Sequence, residues 1–383
     1  MRLLSMKAEG LPLYKKPFEV SFYAMQRVES GHADAVSRLF GSIYINKAEA
    51  FTGINASGKT TALNVVVFAV MLLDGLPMNI DFVPKILREN QTAIFNIIFY
   101  SDGKLYRLES KIIKEKNASG KSEVRILEER LWEKPAGGKI NKQNLLNFES
   151  ARLSDERTSN EKYLPNDVSI AIALKKSEQS AEVIAYQSAF MPPDIFFPGK
   201  SAPAEIVSLL DPTIEYIKEE YVNDKPLIRL KFFGREELVL VNRDDLGVYL
   251  SSGTLKGVSV FSQAVEVLKQ GGYLFIDEIE NHFNRELVVA LLRLFLSGKT
   301  NPNGAVIVFS THYAELLDEM ARNDSIFITR NGEGLTVDNL NDLLNRNDLK
   351  RSEVYQSNYL GGTAPKFKAL DALRRCVARS LEE

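Results

Sequence analysis

The segment Gly53-Ile54-Asn55-Ala56-Ser57-Gly58-Lys59-Thr60 sets two glycines five positions apart and follows the second with a lysine and a hydroxyl. Residues of these types in this order suit one task, gripping a polyphosphate together with its divalent cation. The glycines let the backbone close around phosphate, so that the N–H groups of Asn55, Ala56 and Ser57 meet its oxygens. A helix opening at Thr60 and Thr61 adds its positive end. Lys59 is the point charge for the terminal phosphates, and the Thr60 hydroxyl can reach Mg²⁺. The sequence supplies its own comparison. Gly-Lys-Ser/Thr recurs at Gly120-Lys121-Ser122, Gly199-Lys200-Ser201 and Gly298-Lys299-Thr300, but Glu115, Asp194 and Arg293 stand where the upstream glycine would be. Only the first copy has the whole loop.

Three further segments carry chemistry. Gly271-Gly272-Tyr273-Leu274-Phe275-Ile276-Asp277-Glu278 reads as a short buried strand ending in two carboxylates. Such an end faces the crevice where open α/β sheets bind ligands. Asp277 would hold Mg²⁺, and Glu278 would polarise an attacking water as general base. As plain surface caps the two acids would repel one another unless a cation sat between them. Ser310-Thr311-His312 follows the apolar strand Ala305–Phe309. A lone histidine there is usually a surface residue. This strand, however, should neighbour the one ending at Asp277, which lets His312 reach a terminal phosphate. Finally, Leu250-Ser251-Ser252-Gly253-Thr254 precedes a helix with apolar Val258, Phe261, Ala264, Val265 and Leu268. Alone it is an N-cap; its position 26 residues before Asp277 gives it more weight.

The elements that must position these residues are legible in outline. Thr60–Leu73 is apolar on nearly every side, as in a helix buried all round. The segment before the loop, Glu49-Ala50-Phe51-Thr52, is a weak strand. Residues 93–131 read as strands joined by turns at Asp102-Gly103 and Asn117-Ala118-Ser119-Gly120. From 228 onward strands and helices alternate: Leu227–Phe233, Glu237–Val241, a helix after Gly253, Tyr273–Ile276, a helix Arg285–Leu296, Ala305–Phe309, a helix Tyr313–Ala321 and Ser325–Thr329. That alternation implies a parallel sheet with helices on both faces. The expected division is an N-terminal lobe at 1–149 with the P-loop and antiparallel hairpins, and a mainly helical insertion at 150–226. A C-terminal lobe at 227–350 and a helical tail at 351–383 follow.

Bulk properties narrow the class. The chain has 383 residues, 45% of them apolar, enough for one large or two modest cores, and a net charge of −2 gives no general pull toward nucleic acid. Residues 104–142 hold eleven basic and six acidic side chains, a local excess suited to a solvated hairpin or a phosphate backbone. One cysteine, Cys376, excludes an intrachain disulfide and fits a reducing compartment. With only His32, His282 and His312 beside it, no Cys/His zinc site can form. The N-terminus is no signal peptide, and the best apolar run, Val65–Leu73, is too short to span a bilayer. A cytoplasmic protein is expected.

Together these segments resemble an ABC-type ATPase head, a P-loop NTPase of the α/β class. Its sheet core is mixed or parallel, with an antiparallel β lobe and a helical insertion. Leu250–Thr254 is similar to the ABC signature. Asp277–Asn284 resembles the Walker B carboxylates running into the D-loop, with Asn284 where many members carry Asp, and His312 resembles the switch histidine. The loop and signature are closer to the RecF/SMC/OLD-like group than to transporters, and the order of parts is similar to AAA_15/AAA_21 ATPases of bacterial anti-phage systems. Gln91 and Gln187 are both candidates for the Q-loop glutamine. The resemblance implies ATP and Mg²⁺ as cofactors. It also implies a head-to-tail homodimer or higher homo-oligomer, in which Ser251, Ser252 and Gly253 cap the partner's ATP. It points to a regulatory subunit with a separately encoded effector. A DNA-binding repair ATPase and a slow nucleotide-gated scaffold are the alternatives.

Overall fold

The computed structural model describes residues 1–79, 86–158, 164–177, 183–187, 201–222, 225–281, 283–344, 349–363 and 367–380. Strands β1 (Arg2–Glu9) and β2 (Phe18–Ser21) come first, then the hairpin β3 (Val36–Phe40) and β4 (Ile43–Asn46). Strand β5 (Ala48–Thr52) leads through the glycine loop into α1 (Lys59–Asp74). A meander follows: β6 (Thr92–Ser101), β7 (Lys104–Lys116), β8 (Ser122–Pro135) and β9 (Arg152–Arg157). Next are α2 (Ile172–Ser177), β10 (Val183–Gln187) and α3 (Ala204–Leu210). After them come β11 (Ile214–Val222), β12 (Lys225–Phe232), β13 (Leu238–Leu240) and the single turn α4 (Leu246–Tyr249). The C-terminal part runs through α5 (Ser252–Gln270), β14 (Gly272–Ile276), α6 (Arg285–Leu296), β15 (Val306–Thr311), β16 (Ile326–Asn331) and β17 (Leu335–Asn339). It ends in α7 (Leu340–Leu343), α8 (Arg351–Gln356) and α9 (Phe367–Ser380).

Two six-stranded sheets organise these parts. The first is antiparallel, in the order β2-β1-β6-β7-β8-β9. The second runs β10-β14-β15-β5-β16-β17, with its first five strands parallel and β17 antiparallel at the edge. Helix α1 lies between the sheets, which explains why it is apolar on all faces. Phe68 and Val70 share one core with Phe95 and Ile97 of the antiparallel sheet and with Phe275 and Val308 of the parallel one. Rings of Phe68 and Phe95 meet with centroids 4.8 Å apart. The opposite face of the parallel sheet, with Leu274, Ile276, Ile307 and Phe309, packs on Val260 and Ala264 of α5 and Leu292 of α6. Both faces of β14 and β15 are therefore covered, as their unbroken apolar runs require.

Both expected hairpins form. Asp102 and Gly103 have φ of +45° and +77°, the pair of left-handed residues that a tight two-residue turn needs. At the second turn the Asn117 side chain accepts from the backbone N–H groups of Ser119 and Lys121, at 3.0 Å each.

The parallel sheet has helices on both faces as expected, α1 on one and α5 and α6 on the other, and the antiparallel sheet covers α1 from its far side. Other expectations need correction. Residues 150–226 are not mainly helical: the described part holds β9, β10 and β11 beside two short helices. The Pro-rich break at 191–199 lies outside the described residues. Strands β11, β12 and β13 form a separate three-stranded antiparallel sheet instead of joining the parallel one. The expected helix at Tyr313–Ala321 is a 3-10 stretch over Ala314–Asp318. Segment Ala48–Thr52, weak in propensity, is a fully buried strand of the parallel sheet. Tertiary pairing on both edges overrides local preference there.

That strand buries an acid. Glu49 is fully inaccessible, and burial holds its carboxyl well above the usual range, with the nearby Asp324 pushing the same way. An acid whose folded pKa is raised favours folding at low pH. It costs stability as pH rises past the unfolded value, because only the unfolded chain ionises freely. Glu49→Gln should therefore gain stability over the wild type at pH 8 and lose that advantage at pH 4. Urea melts at the two pH values check this; an equal difference at both would refute it.

Candidate functional site

Four parallel strands bring their C-terminal ends to one edge of the sheet. In order these are β10 ending at Gln187, β14 ending before Asp277, β15 running out to Ser310-Thr311-His312, and β5 ending at Thr52 before the glycine loop. The register pairs Ile276 with Gln187 and with Phe309, and Ser310 with Phe51. Residues far apart in sequence thus meet because their strands stop at the same level.

The loop is braced from behind. Ser57 Oγ lies 2.7 Å from Thr329 Oγ1, which also bonds the Thr52 carbonyl at 3.1 Å. Asn331 Nδ2 donates to the Ala56 carbonyl at 3.0 Å. Gly53 has no room for a side chain: a Cβ there would come within 2.6 Å of the Thr329 carbonyl oxygen and closer still to two hydroxyls. Gly58, at φ +96°, caps α1. Lys59 Nζ reaches the carbonyls of Gly53 and Ile54 at 3.0 and 3.2 Å and His312 Nδ1 at 3.1 Å. Burial lowers the Lys59 pKa, against the raising influence of Glu278, Glu280 and Asp277.

Asp277 is the best-tethered acid of the site. It is fully buried. It accepts from Ser310 Oγ at 2.6 Å, and its two oxygens lie 3.1 and 3.0 Å from Thr60 Oγ1. Burial raises its pKa, and these hydroxyls oppose the rise. Ser310 Oγ in turn accepts from the Glu278 backbone N–H at 2.7 Å. Glu278 sits at φ +50°, an uncommon conformation for a non-glycine residue, and its carboxylate is 3.5 Å from His312 Nε2. Because the Lys59 ammonium donates to Nδ1, the ring proton of a neutral His312 belongs on Nε2, facing Glu278. Glu280 Oε1 accepts from the His312 backbone N–H at 2.6 Å.

A cavity of about 660 Å³ opens over these groups, lined by Asn55, Ala56, Gly58, Lys59, Thr60, Thr61, Glu278 and His312 on its polar side. Pro12, Leu13, Gly334 and Leu335 form an apolar wall, with Asn331 beside it. Among the described residues no three His, Cys, Asp or Glu side chains cluster as metal ligands. One hydroxyl and one buried carboxylate, Thr60 and Asp277, fit Mg²⁺, which keeps several waters and takes its remaining oxygens from phosphate.

The structure thus unites Asn55, Ala56, Gly58, Lys59, Thr60, Thr61, Asp277, Glu278 and His312. It does not bring in every residue read from the sequence. Ser57 is buried, and its hydroxyl is turned to Thr329 instead of the cavity. Ser251 caps α5, its Oγ accepting from Thr254 N at 3.0 Å, and neither it nor Ser252 nor Gly253 lines the cavity of its own chain. Asn284 caps α6, its Oδ1 accepting from Leu287 N at 2.9 Å, and also lies outside that cavity. His282 falls outside the described residues. Of the two glutamines, Gln91 precedes β6 in the antiparallel sheet, whereas Gln187 ends the strand beside β14 and accepts from the Asp277 N–H at 2.9 Å. Sequence reasoning named the Ser310-Thr311-His312 segment without giving Ser310 a role, and passed over Thr329, Asn331 and the Leu13–Leu335 wall. Only strand order places them at the loop.

A P-loop after one parallel strand, an acid pair after another and a histidine after the strand between them define the head of a P-loop ATPase. The chain belongs to the AAA_21 family, described as "AAA domain, putative AbiEii toxin, Type IV TA system", which matches residues 50–318. The chain is an ATPase of that family. No curated protein matches its sequence. Among solved structures, the dimeric post-hydrolysis state of the ATP-binding cassette MJ0796 bound to ADP and Pi aligns over 88% of this chain and 98% of that one. Sequence identity is 11% and the TM-score 0.30, a likeness too slight to bear on mechanism.

Ser310 holds Asp277 and the Glu278 backbone at once. Ser310→Ala should therefore lower ATP turnover about ten- to hundredfold, as loss of an outer support commonly does, while ATP affinity changes little. Turnover and nucleotide titration on the same preparation check it; full activity would refute the tether.

Proposed function

We propose that the chain binds Mg-ATP at the Gly53–Thr61 loop and hydrolyses it when a second copy closes the site. The carrying observation is the separation within one chain: the loop, Glu278 and His312 share a cavity, and the signature serine does not line it. Backbone N–H groups of Asn55 to Gly58 and the Lys59 ammonium take the phosphates. Thr60 and Asp277 would hold a Mg²⁺ ion, whose chemistry there would be to neutralise phosphate charge. Glu278 orients and deprotonates the attacking water, and His312, linked to both Lys59 and Glu278, contacts the terminal phosphate. The nucleoside end rests against Leu13 and Leu335.

The signature supports a head-to-tail pair. Ser251 and Ser252 are exposed at the start of α5, beside Val248 and Tyr249, which are 79% and 46% exposed. A helix start so placed can aim its dipole and hydroxyls at a facing chain's terminal phosphate, with Asn284 close to the same interface. In this reading ATP joins the two heads and hydrolysis releases them. Lys59→Ala should weaken ATP binding at least about tenfold, by removing a charge-assisted contact. Glu278→Gln should bind ATP normally, fail to turn over and accumulate as a dimer. Calorimetry and light scattering with ATP check both; undiminished affinity in the lysine variant, or a monomeric glutamine variant, would refute the scheme.

We further propose that this ATPase regulates a separately encoded effector in a bacterial defence module. The family's description, which names a toxin and a TA system, motivates the assignment. Purification from the native host should bring down the product of an adjacent gene in an ATP-dependent manner, and a protein recovered alone with or without ATP would count against it. The DNA-binding alternative is the less favoured reading, because part of the basic excess in the hairpins is already paired. Lys104, Lys111, Lys116, Arg125 and Arg130 there are all ion-paired with glutamates. Lys134 and Lys142 donate to backbone carbonyls.

A further inference from the structure

Pairing between β14 and β15 ends at Ile276 and Phe309, and pairing between β15 and β5 ends at Thr311 and Thr52. Beyond β14 the chain is still stitched to β15. The Glu278 N–H donates to Ser310 Oγ at 2.7 Å, and the Ile279 N–H donates to the Ser310 carbonyl at 3.0 Å. The last link runs the other way: the His312 N–H donates to Glu280 Oε1 at 2.6 Å. A side chain thus takes the place of a strand carbonyl one residue past the end of β15. The turn that carries it is firmly held. Glu278 at φ +50° redirects the chain, and Ile279 is fully buried in the core shared with α5 and α6. The Asn281 N–H closes on the Glu278 carbonyl at 2.8 Å.

His312 is the residue this link fixes. Its ring lies 3.1 Å from Lys59 Nζ through Nδ1 and 3.5 Å from the Glu278 carboxylate through Nε2. It lines the cavity of about 660 Å³ and also a second of about 400 Å³, bounded by Gly53, Ile54, Asn55, Tyr355 and Thr363. A backbone shift at 312 would move the ring against all of these groups at once. Glu280 lines neither cavity. Its other oxygen, Oε2, is shut off from solvent and has no hydrogen-bond partner among the described residues. Burying an unpaired carboxylate oxygen is costly. What the acid provides in return is a charged acceptor, which makes a shorter and stronger bond to an N–H than a neutral one does.

We propose that Glu280 is a positioning residue for hydrolysis: by taking the His312 N–H it extends the β14–β15 pairing past the strand ends and sets where the imidazole stands between Lys59 and Glu278. Glu280 touches neither phosphate nor water in this role; it acts through His312. The role rests on the reading of His312 as a contact to the terminal phosphate.

The test measures kcat and KM for ATP, with the melting temperature, on full chains: wild type, Glu280→Ala, Glu280→Gln, Glu280→Asp, His312→Ala and the double variant Glu280→Ala/His312→Ala. Glu280→Ala should lower kcat at least about tenfold with KM within about threefold, the pattern of a contribution made beyond ground-state binding. Glu280→Gln keeps a carbonyl acceptor and should return kcat to within about fivefold of wild type. In the His312→Ala background, adding Glu280→Ala should lower kcat by less than about twofold more, since residues acting through one another are not additive. If Glu280→Ala melts too low to assay, Glu280→Asp, charged but one methylene shorter, should show the same loss of kcat. Wild-type turnover in the alanine or aspartate variant would overturn the role of Glu280. So would a raised KM at unchanged kcat, a full loss shared by Glu280→Gln, or an equal loss with and without His312. Wild-type kcat in His312→Ala would instead remove the reading of His312 on which the role of Glu280 stands.

Discussion

The fully buried carboxylate of Asp277 is the constraint around which the site is organised. A charge in that position needs donors, and it has two hydroxyls from opposite directions. Thr60 reaches it from the first turn of α1 and Ser310 from the end of β15. Both bonds exist only if β14, β15 and β5 are parallel, adjacent and end at one level. The same Ser310 hydroxyl also holds the Glu278 backbone, so support for the Asp277 carboxylate and for the backbone of Glu278 share a single atom.

The sandwich around α1 gives this arrangement its stiffness. With one sheet on either side, the helix cannot tilt without disturbing the core it shares with both, and the glycine loop at its N-terminus is pinned further by Thr329 and Asn331 on β16. Preorganised N–H donors and a fixed ammonium are what phosphate binding requires, since little of the interaction is then spent on ordering the loop. The positive φ of Ala56 and Glu278 falls at the two turns that face the cavity, where surrounding structure can hold backbone that would otherwise relax.

The signature helix stands in a different relation to the site. Its far end packs into the core beneath β14, while its start is exposed next to apolar side chains that cover nothing in the single chain. In the function proposed above, a second copy completes the head and the nucleotide joins the two.

The loop, the acid pair, the histidine, the two hairpins and the burial of the helix after Thr60 were all legible in the sequence. Each depends on local chemistry: glycine spacing, charge after an apolar run, a turn-forming dipeptide, or apolar residues on every face of one helix. Strand order was not legible, and with it went Ser310, Thr329, Asn331 and the choice of Gln187 over Gln91. The mainly helical reading of 150–226 and the placing of 227–241 in the parallel sheet failed for the same reason. Short amphipathic segments there take their conformation from the sheet that receives them. Likewise the strand carrying Glu49 looks weak in isolation and is secured by pairing on both edges. Sequence alone determined which groups are candidates for handling a nucleotide; only the tertiary structure decided which of them share a cavity, because that depends on where non-adjacent strands end.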